Sequence, residues 1–454
     1  MSKPATTLRD AYNAVDPAMP LPSGDPRYVV CTDVRGNEDA VTYLYNAITR
    51  SSRHTHQLFT GHRGCGKSTE LLRLKARLEK AGFAVIYFEA DEDLDLQDIV
   101  YSDLLLAIVR RVESEMRARG TPLDADLLKS VERWFAESLY SEDEWRGVQR
   151  ELGAQAGLGV PAILSPFAQL AAYLTGQIKT GREIKKSIRL KLDPRIAQLI
   201  DHVNLLLSDA SLKVRQRGQT DIALLIDNLD RIAFIDLGSG RTSHDALYLE
   251  HGEQLTALKC HVVYTLPISM FYASKATILR GIFPDNHVLP MIKTHEPRAQ
   301  GGGESAAGLA RLRRILGERL DLDRLFEPGA VDYLCRACGG HPRDLMVLVR
   351  HAIDYAEDQA AQPITLGAVR RAEGRLVAAY SRMVPEAHFP KLARVHLTNE
   401  VVNDLDHQQM LYNLSVLEYA NGLEPWHDAH PAVQLLARFK QALTDERSNL
   451  LAAN

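Results

Sequence analysis

The chain has 454 residues, more than a single core usually organises, so two or three domains are expected. Its composition, 45% hydrophobic, 25% charged and 7% aromatic, excludes collagen-like, disordered and disulfide-scaffold classes. A formal net charge of −4 excludes a surface that is basic throughout, as a general polyphosphate binder requires. The five cysteines, at positions 31, 65, 260, 335 and 338, are odd in number and scattered, which fits reduced thiols. Met1 to Asp10 has no basic segment followed by an apolar stretch, so no secretory signal is read and a cytoplasmic address is expected.

Residues 1–27, rich in Ala, Pro and Ser with little periodicity, read as an arm laid over the first domain or partly disordered. From Tyr28 to about residue 300 the pattern is that of an α/β core. Gln57-Leu58-Phe59-Thr60 leads into a glycine loop, and Leu71, Leu72, Leu74 and Leu78 then recur at helical spacing. Further apolar runs stand at Phe83–Phe88, Ile222–Ile226, His261–Thr265 and Val288–Ile292. Continuous hydrophobicity of this kind marks strands buried on both faces, and five of them with helices between predict a parallel sheet.

Residues 95–219 form a long crossover that reads as a helical insertion. Within it, Leu152 to Ile178 carries no charged side chain. Gly153, Gly157, Gly159, Pro161 and Pro166 break that run, and Gln155, Gln169 and Gln177 interrupt it. A bilayer span would leave its backbone groups unsatisfied, so a self-packing or partner-binding hairpin is expected. Residues 301–384 read as an all-helical lid. Residues 385–454 read as short helices followed by a hairpin, with Ala420-Asn421-Gly422 as the turn signal, a winged-helix-like order.

The strongest chemical signal is Gly61-His62-Arg63-Gly64-Cys65-Gly66-Lys67-Ser68, followed by Thr69. It fits Gly-x-x-x-x-Gly-Lys-[Ser/Thr] with a strand before and a helix after. The glycines let successive N–H groups curl toward an anion, and the helix adds its positive end. Lys67 is then expected to neutralise the β- and γ-phosphates of ATP or ADP, and Ser68 to ligate Mg²⁺. Ala223-Leu224-Leu225-Ile226-Asp227-Asn228-Leu229-Asp230-Arg231 is a buried strand ending in carboxylates, with Asp227 as the second magnesium partner.

With these two motifs in place, the chain resembles the AAA+ and STAND group of ATPases, especially those related to origin-recognition proteins. Val34-Arg35-Gly36-Asn37-Glu38 is similar to the box that lies near adenine in that group, with the order Arg-Gly as a departure. The resemblance implies that Thr265, followed by Pro267, is the polar sensor, and that Gly339-Gly340-His341-Pro342-Arg343-Asp344-Leu345 carries the second sensor, with Arg343 touching nucleotide. It also implies an arginine acting on a neighbouring subunit, for which Arg231, Arg280 and Arg319 are candidates, and hence a homo-oligomer with protein partners. Where the group has a water-polarising glutamate this chain has Asn228, which is no general base. Slow hydrolysis, or hydrolysis served by Asp230, is expected. Relatives of this kind often work in multi-component systems, including defence against phage.

Three further signals are weaker. Cys335, Cys338 and His341 have partial zinc spacing but lack a second pair. Lys179 to Lys191, with Lys213, Arg215 and Arg217, reads as a solvated face more than a nucleic-acid track. Trp426-His427-Asp428-Ala429-His430-Pro431 reads as the turn into the last helix. The leading expectation is an ATP-dependent switch. The alternatives are a DNA-associated loader, which the acidic Glu418, Glu424 and Asp428 do not favour, and a scaffold with structural ATP.

Overall fold

The computed structural model describes residues 4–157, 165–358 and 362–453. Its centre is a five-stranded sheet of β1 (His56–Thr60), β2 (Ala84–Glu89), β3 (Ile222–Asp227), β4 (His261–Leu266) and β5 (Asn286–Val288), in the order β2-β3-β4-β1-β5 and parallel throughout. β3 and β4 are buried at every position, which is why their sequences run apolar without alternation. Parallel pairing sends all the carboxyl ends to one edge, where open α/β sheets hold ligands. There the register sets Glu89 of β2 directly beside Asp227 of β3.

The fifth strand is displaced from its expected place at 288–292. Pro290 has no N–H to continue the ladder. Leu289 still donates to the Thr60 carbonyl at 2.8 Å, and Met291 donates instead to the Glu418 carbonyl at 2.9 Å. The segment therefore leaves the sheet and joins the C-terminal hairpin.

The insertion is a bundle of the helices Tyr101–Ala118, Ala125–Leu139, Glu142–Gly157, Pro166–Thr180, Arg182–Leu192 and Ile196–Gln216. Leu104, Leu170 and Leu206 from it share one core with Leu58, Ile86 and Leu224 of the sheet. In the uncharged run, Ser165 caps a helix that opens with Pro166 and buries Phe167, Leu170, Leu174 and Ile178. Its apolar side chains are thus used inside the protein. Among the described residues no helix is long and apolar enough to cross a membrane. Gly159 and Pro161 lie outside the described residues.

The basic stretch is not a free solvated face. Lys185 pairs with Asp95 and Asp98, Arg189 with Asp98 and Asp103, and Arg215 with Asp221, while Lys179 donates to the carbonyls of Asp91 and Glu92. These cations tie the later helices of the insertion to its first helix and to the segments that follow β2 and precede β3.

The helices Ala306–Gly317, Ala330–Ala337, Pro342–Asp358 and Leu366–Met383 build a second core, joined by Leu8, Ala11 and Val15 of the arm. The arm forms a helix, Leu8–Ala14, capped by Thr7, and Ala5 donates to the Arg319 carbonyl at 2.8 Å. Toward the C-terminus stand Phe389–Thr398, Leu405–Tyr412, the antiparallel pair β6 (Val416–Asn421) and β7 (Glu424–Ala429), and Ala437–Ala453. Trp426 to Ala429 is strand, not the turn expected there, because all four residues are buried and pair across to β6. Leu417, Tyr419 and Trp426 share a cluster with Phe59, Leu71 and Val263 of the sheet layer. The hairpin is docked onto the core, with its tip residue Asn421 held by Lys293 at 2.7 Å.

Candidate nucleotide site at the carboxyl edge of the sheet

The glycine loop joins β1 to the helix Lys67–Lys80. Gly66 is its N-cap with a left-handed φ of 113° and no side-chain cap, so the first N–H groups of the helix are not taken by a capping side chain. At Gly64, φ is +89° and a Cβ would stand 2.6 Å from His341 Nε2. Only glycine lets the lid come that close.

Lys67 is buried, and its ammonium donates to the carbonyls of Gly61 at 2.8 Å and His62 at 2.9 Å and pairs with Asp230 at 3.0 Å. Burial pulls its pKa down, but Asp230, and further off Asp227, more than offset that, so it stands above the ordinary lysine value. Asp227 accepts from the Asn228 N–H at 2.7 Å and from the Tyr87 hydroxyl at 3.0 Å, and the Ser68 side chain hydrogen-bonds to it as well. Its pKa is raised by burial and then by Asp230.

Ser68 and Asp227 thus bring two hard oxygen donors together. That pair suits Mg²⁺, which takes one or two protein ligands and keeps its waters. Among the described residues no group of three or more His, Cys, Asp or Glu could hold a metal ion. Cys335 and Cys338 are buried thiols in the lid core. His341 faces Asp344 at 3.1 Å and the Arg63 carbonyl at 2.7 Å, so the partial zinc pattern is packing.

One cavity is lined by Arg63 to Thr69 of the loop, by Asp227, Asn228, Asp230 and Arg231, and by Arg343 of the lid. Arg35, Glu38 and Asp39 close one side, and the arm closes another with Leu21 and Tyr28. The arm is tied to the loop's helix, since Leu21 N–H donates to Thr69 Oγ1 at 3.1 Å, and Tyr28, just after the arm, donates to Glu70 at 3.0 Å. Arg35 donates to the Cys65 carbonyl at 2.9 Å. Gly61 and His62 do not line the cavity. His62 is buried behind it and accepts from Glu418 N–H at 2.8 Å.

Arg343 reaches the cavity without an ion pair or hydrogen bond among the described residues. Burial, and then Arg231, lowers its pKa. Thr265 is absent from the lining. Its hydroxyl donates to the Ile226 carbonyl at 3.2 Å and accepts from Leu229 N–H at 3.0 Å, so it braces the turn after β3. Asp230 is held by Lys67.

Of the three arginines considered for a neighbouring subunit, Arg231 and Arg319 line this chain's own cavity, while Arg280 is exposed. Burial, then Arg27, lowers Arg319 to about 10. Sequence reasoning passed over Glu89, which ends β2 and lines the cavity. The signal was available: like Asp227, it is a carboxylate closing an apolar run.

No protein-family model matches the chain, and no curated protein matches it. Among solved structures it is similar to the Drosophila origin recognition complex bound to DNA, at 13% identity and a TM-score of 0.41 over 97% of this chain and 92% of that one. It is similar to the Aeropyrum pernix ORC1 protein in complex with DNA, at 13% identity and a TM-score of 0.40 over 97% and 98%. It is also similar to Cdc6p from Pyrobaculum aerophilum, at 11% identity and a TM-score of 0.40 over 96% and 98%.

Proposed function

We propose that this chain binds ATP with Mg²⁺ at the glycine loop and uses the bound nucleotide to set how the lid and the C-terminal hairpin engage the core. The observation that carries this reading is one cavity in which Lys67, Ser68, Asp227 and an unpaired Arg343 converge. Amides of the loop and the start of its helix bind the phosphates, Lys67 and Arg343 balance their charge, and Ser68 with Asp227 holds the metal, which screens the triphosphate charge when bound. The arm and the Arg35 segment cover the opposite side, where a nucleoside fits.

The switch part of the reading rests on what touches the loop from behind. His341 of the lid meets the Arg63 carbonyl, Glu418 of the hairpin meets His62, and Arg63 donates to the Tyr412 carbonyl at 3.2 Å and stacks over its ring at 4.5 Å. A triphosphate that shifts the loop by differential affinity also shifts these contacts. Assembly with further copies or a protein partner is part of the same proposal, with exposed Arg280 as the residue offered to a neighbour. DNA is not the proposed partner, because β6 and β7 carry no lysine or arginine and their exposed end bears Glu424, so the hairpin offers phosphates no positive charge.

The test is thermal unfolding with and without ATP and Mg²⁺. Ligand at ~100 times Kd stabilises a native protein by about 2.7 kcal/mol, so the wild-type Tm rises, and Lys67→Ala loses the rise from a ligand-free Tm that is itself lower, because Asp230 is left buried without its counter-charge. Equal nucleotide shifts in both proteins would falsify the reading.

A further inference from the structure

Asn228 occupies the place after Asp227 where a carboxylate would be needed to draw a proton from an attacking water, and an amide has no basic lone pair for that task. Its Nδ2, however, donates to Glu89 Oε2 at 2.8 Å and to Asp91 Oδ1 at 2.8 Å. Glu89 and Asp227 are register partners on adjacent parallel strands, and both line the cavity. The carboxylate missing from β3 therefore stands one strand over, at the same height on the sheet edge.

Three other acids compete for the role. Asp230 is in an ion pair with the buried Lys67 ammonium. Asp91 pairs with Arg231 at 2.9 Å and does not line the cavity. Asp227 is committed to Ser68, Tyr87 and the Asn228 N–H. Glu89 alone of the four has one oxygen oriented by an amide and, among the described residues, no hydrogen bond to its other oxygen.

Building on the ATP reading above, we propose that Glu89 is the general base for ATP hydrolysis, and that Asn228 is the positioning residue that aims it. A water between Glu89 and the γ-phosphorus gives its proton to the Glu89 carboxylate. The water oxygen forms the new P–O bond, the bond from the γ-phosphorus to the β,γ-bridging oxygen breaks, and that oxygen leaves with ADP. The proton on Glu89 then passes to solvent, so the products are ADP, inorganic phosphate and one proton.

The experiment measures ATP binding by nucleotide titration and single-turnover hydrolysis of bound ATP on the full chain. Glu89→Gln is expected to bind ATP within about threefold of wild type and to hydrolyse it ~100-fold more slowly or worse, the range for loss of a positioned base. Its rate should also lose the acid limb of the wild-type pH profile, which a merely structural role would not remove. The exchange Glu89→Asn with Asn228→Glu is expected to recover part of the rate, because it returns a carboxylate to the same pair of strand ends. Hydrolysis by Glu89→Gln within twofold of wild type overturns the proposal, as does a wild-type protein that binds ATP without turnover. A wild-type protein that does not bind ATP overturns the site reading itself, which separates the two failures.

Discussion

Arg343 is a guanidinium near the start of a lid helix, drawn into the cavity with no ion-pair partner among the described residues, and its environment already disfavours the charged form. Such a group costs folding free energy and is retained only where something else binds it. Arg343→Ala is therefore expected to leave the ligand-free Tm unchanged or higher. The same change should weaken ATP binding by ~10–100-fold, the worth of a hydrogen bond to a charged group. A fall of the ligand-free Tm with the ATP-induced rise intact would show that Arg343 is a packing residue. Lys67 differs, because its charge is fully engaged by two carbonyls and Asp230, and a phosphate must take the place of one of these partners. At this scale the sequence was informative about which residue types gather, since Lys67, Ser68, Asp227 and Arg343 all reach one cavity. The resemblance named Thr265 as a sensor, but its hydroxyl faces the chain segment after β3 rather than the cavity. A side chain's direction at the end of a strand depends on neighbouring strands that the linear pattern does not display.

The hairpin is the element whose role the tertiary structure changes most. A turn signal at Ala420-Asn421-Gly422 predicts a hairpin and β6 before it, but the second half of β7 reads as a turn, and nothing in the pattern indicates that Leu417, Tyr419 and Trp426 complete the core layer over β1 and the loop's helix. Tyr419 also donates to the Gly339 carbonyl at 2.7 Å, so one strand of the hairpin holds the entrance to the lid helix that bears Arg343. Because Leu417 is fully buried in this shared cluster, Leu417→Ala is expected to cost about 2–5 kcal/mol. The loss should appear in a single unfolding transition for core and hairpin together. A separate low-temperature transition in calorimetry, with the main one unmoved, would mean that the hairpin is only resting on the core.

For the whole molecule, acid lability follows from imidazoles enclosed during folding. His244, His261 and His287 are held at about 4 against an ordinary 6.5, in each case mainly by burial, and burial also holds His62 well below that value. As pH falls through 6.5 the unfolded chain takes up protons that the folded chain refuses. Stability is thus complete above 6.5 and declines progressively as pH falls, with His244, His261 and His287 losing nothing more below about 4. The Tm is expected to fall across this window. His287→Phe, which keeps a ring against Tyr43 and Phe59, should flatten the fall, and an unaltered slope would remove His287 from the account.

By itself the sequence determined the α/β class, four of the five strands nearly to the residue, the helical character of the insertion and lid, and the glycine loop that joins β1 to its helix. These are local matters, in which hydrophobic period, glycine conformational freedom and helix polarity act over a few neighbouring residues. Only the tertiary structure decided that the basic stretch is consumed by Asp95, Asp98, Asp103 and Asp221, that Arg319 belongs to its own cavity, and that Glu89 lies beside Asp227. Most of those outcomes come from strand register and from packing between segments far apart in the chain, and no short-range pattern of side chains encodes which distant carboxylate a cation or an amide will meet.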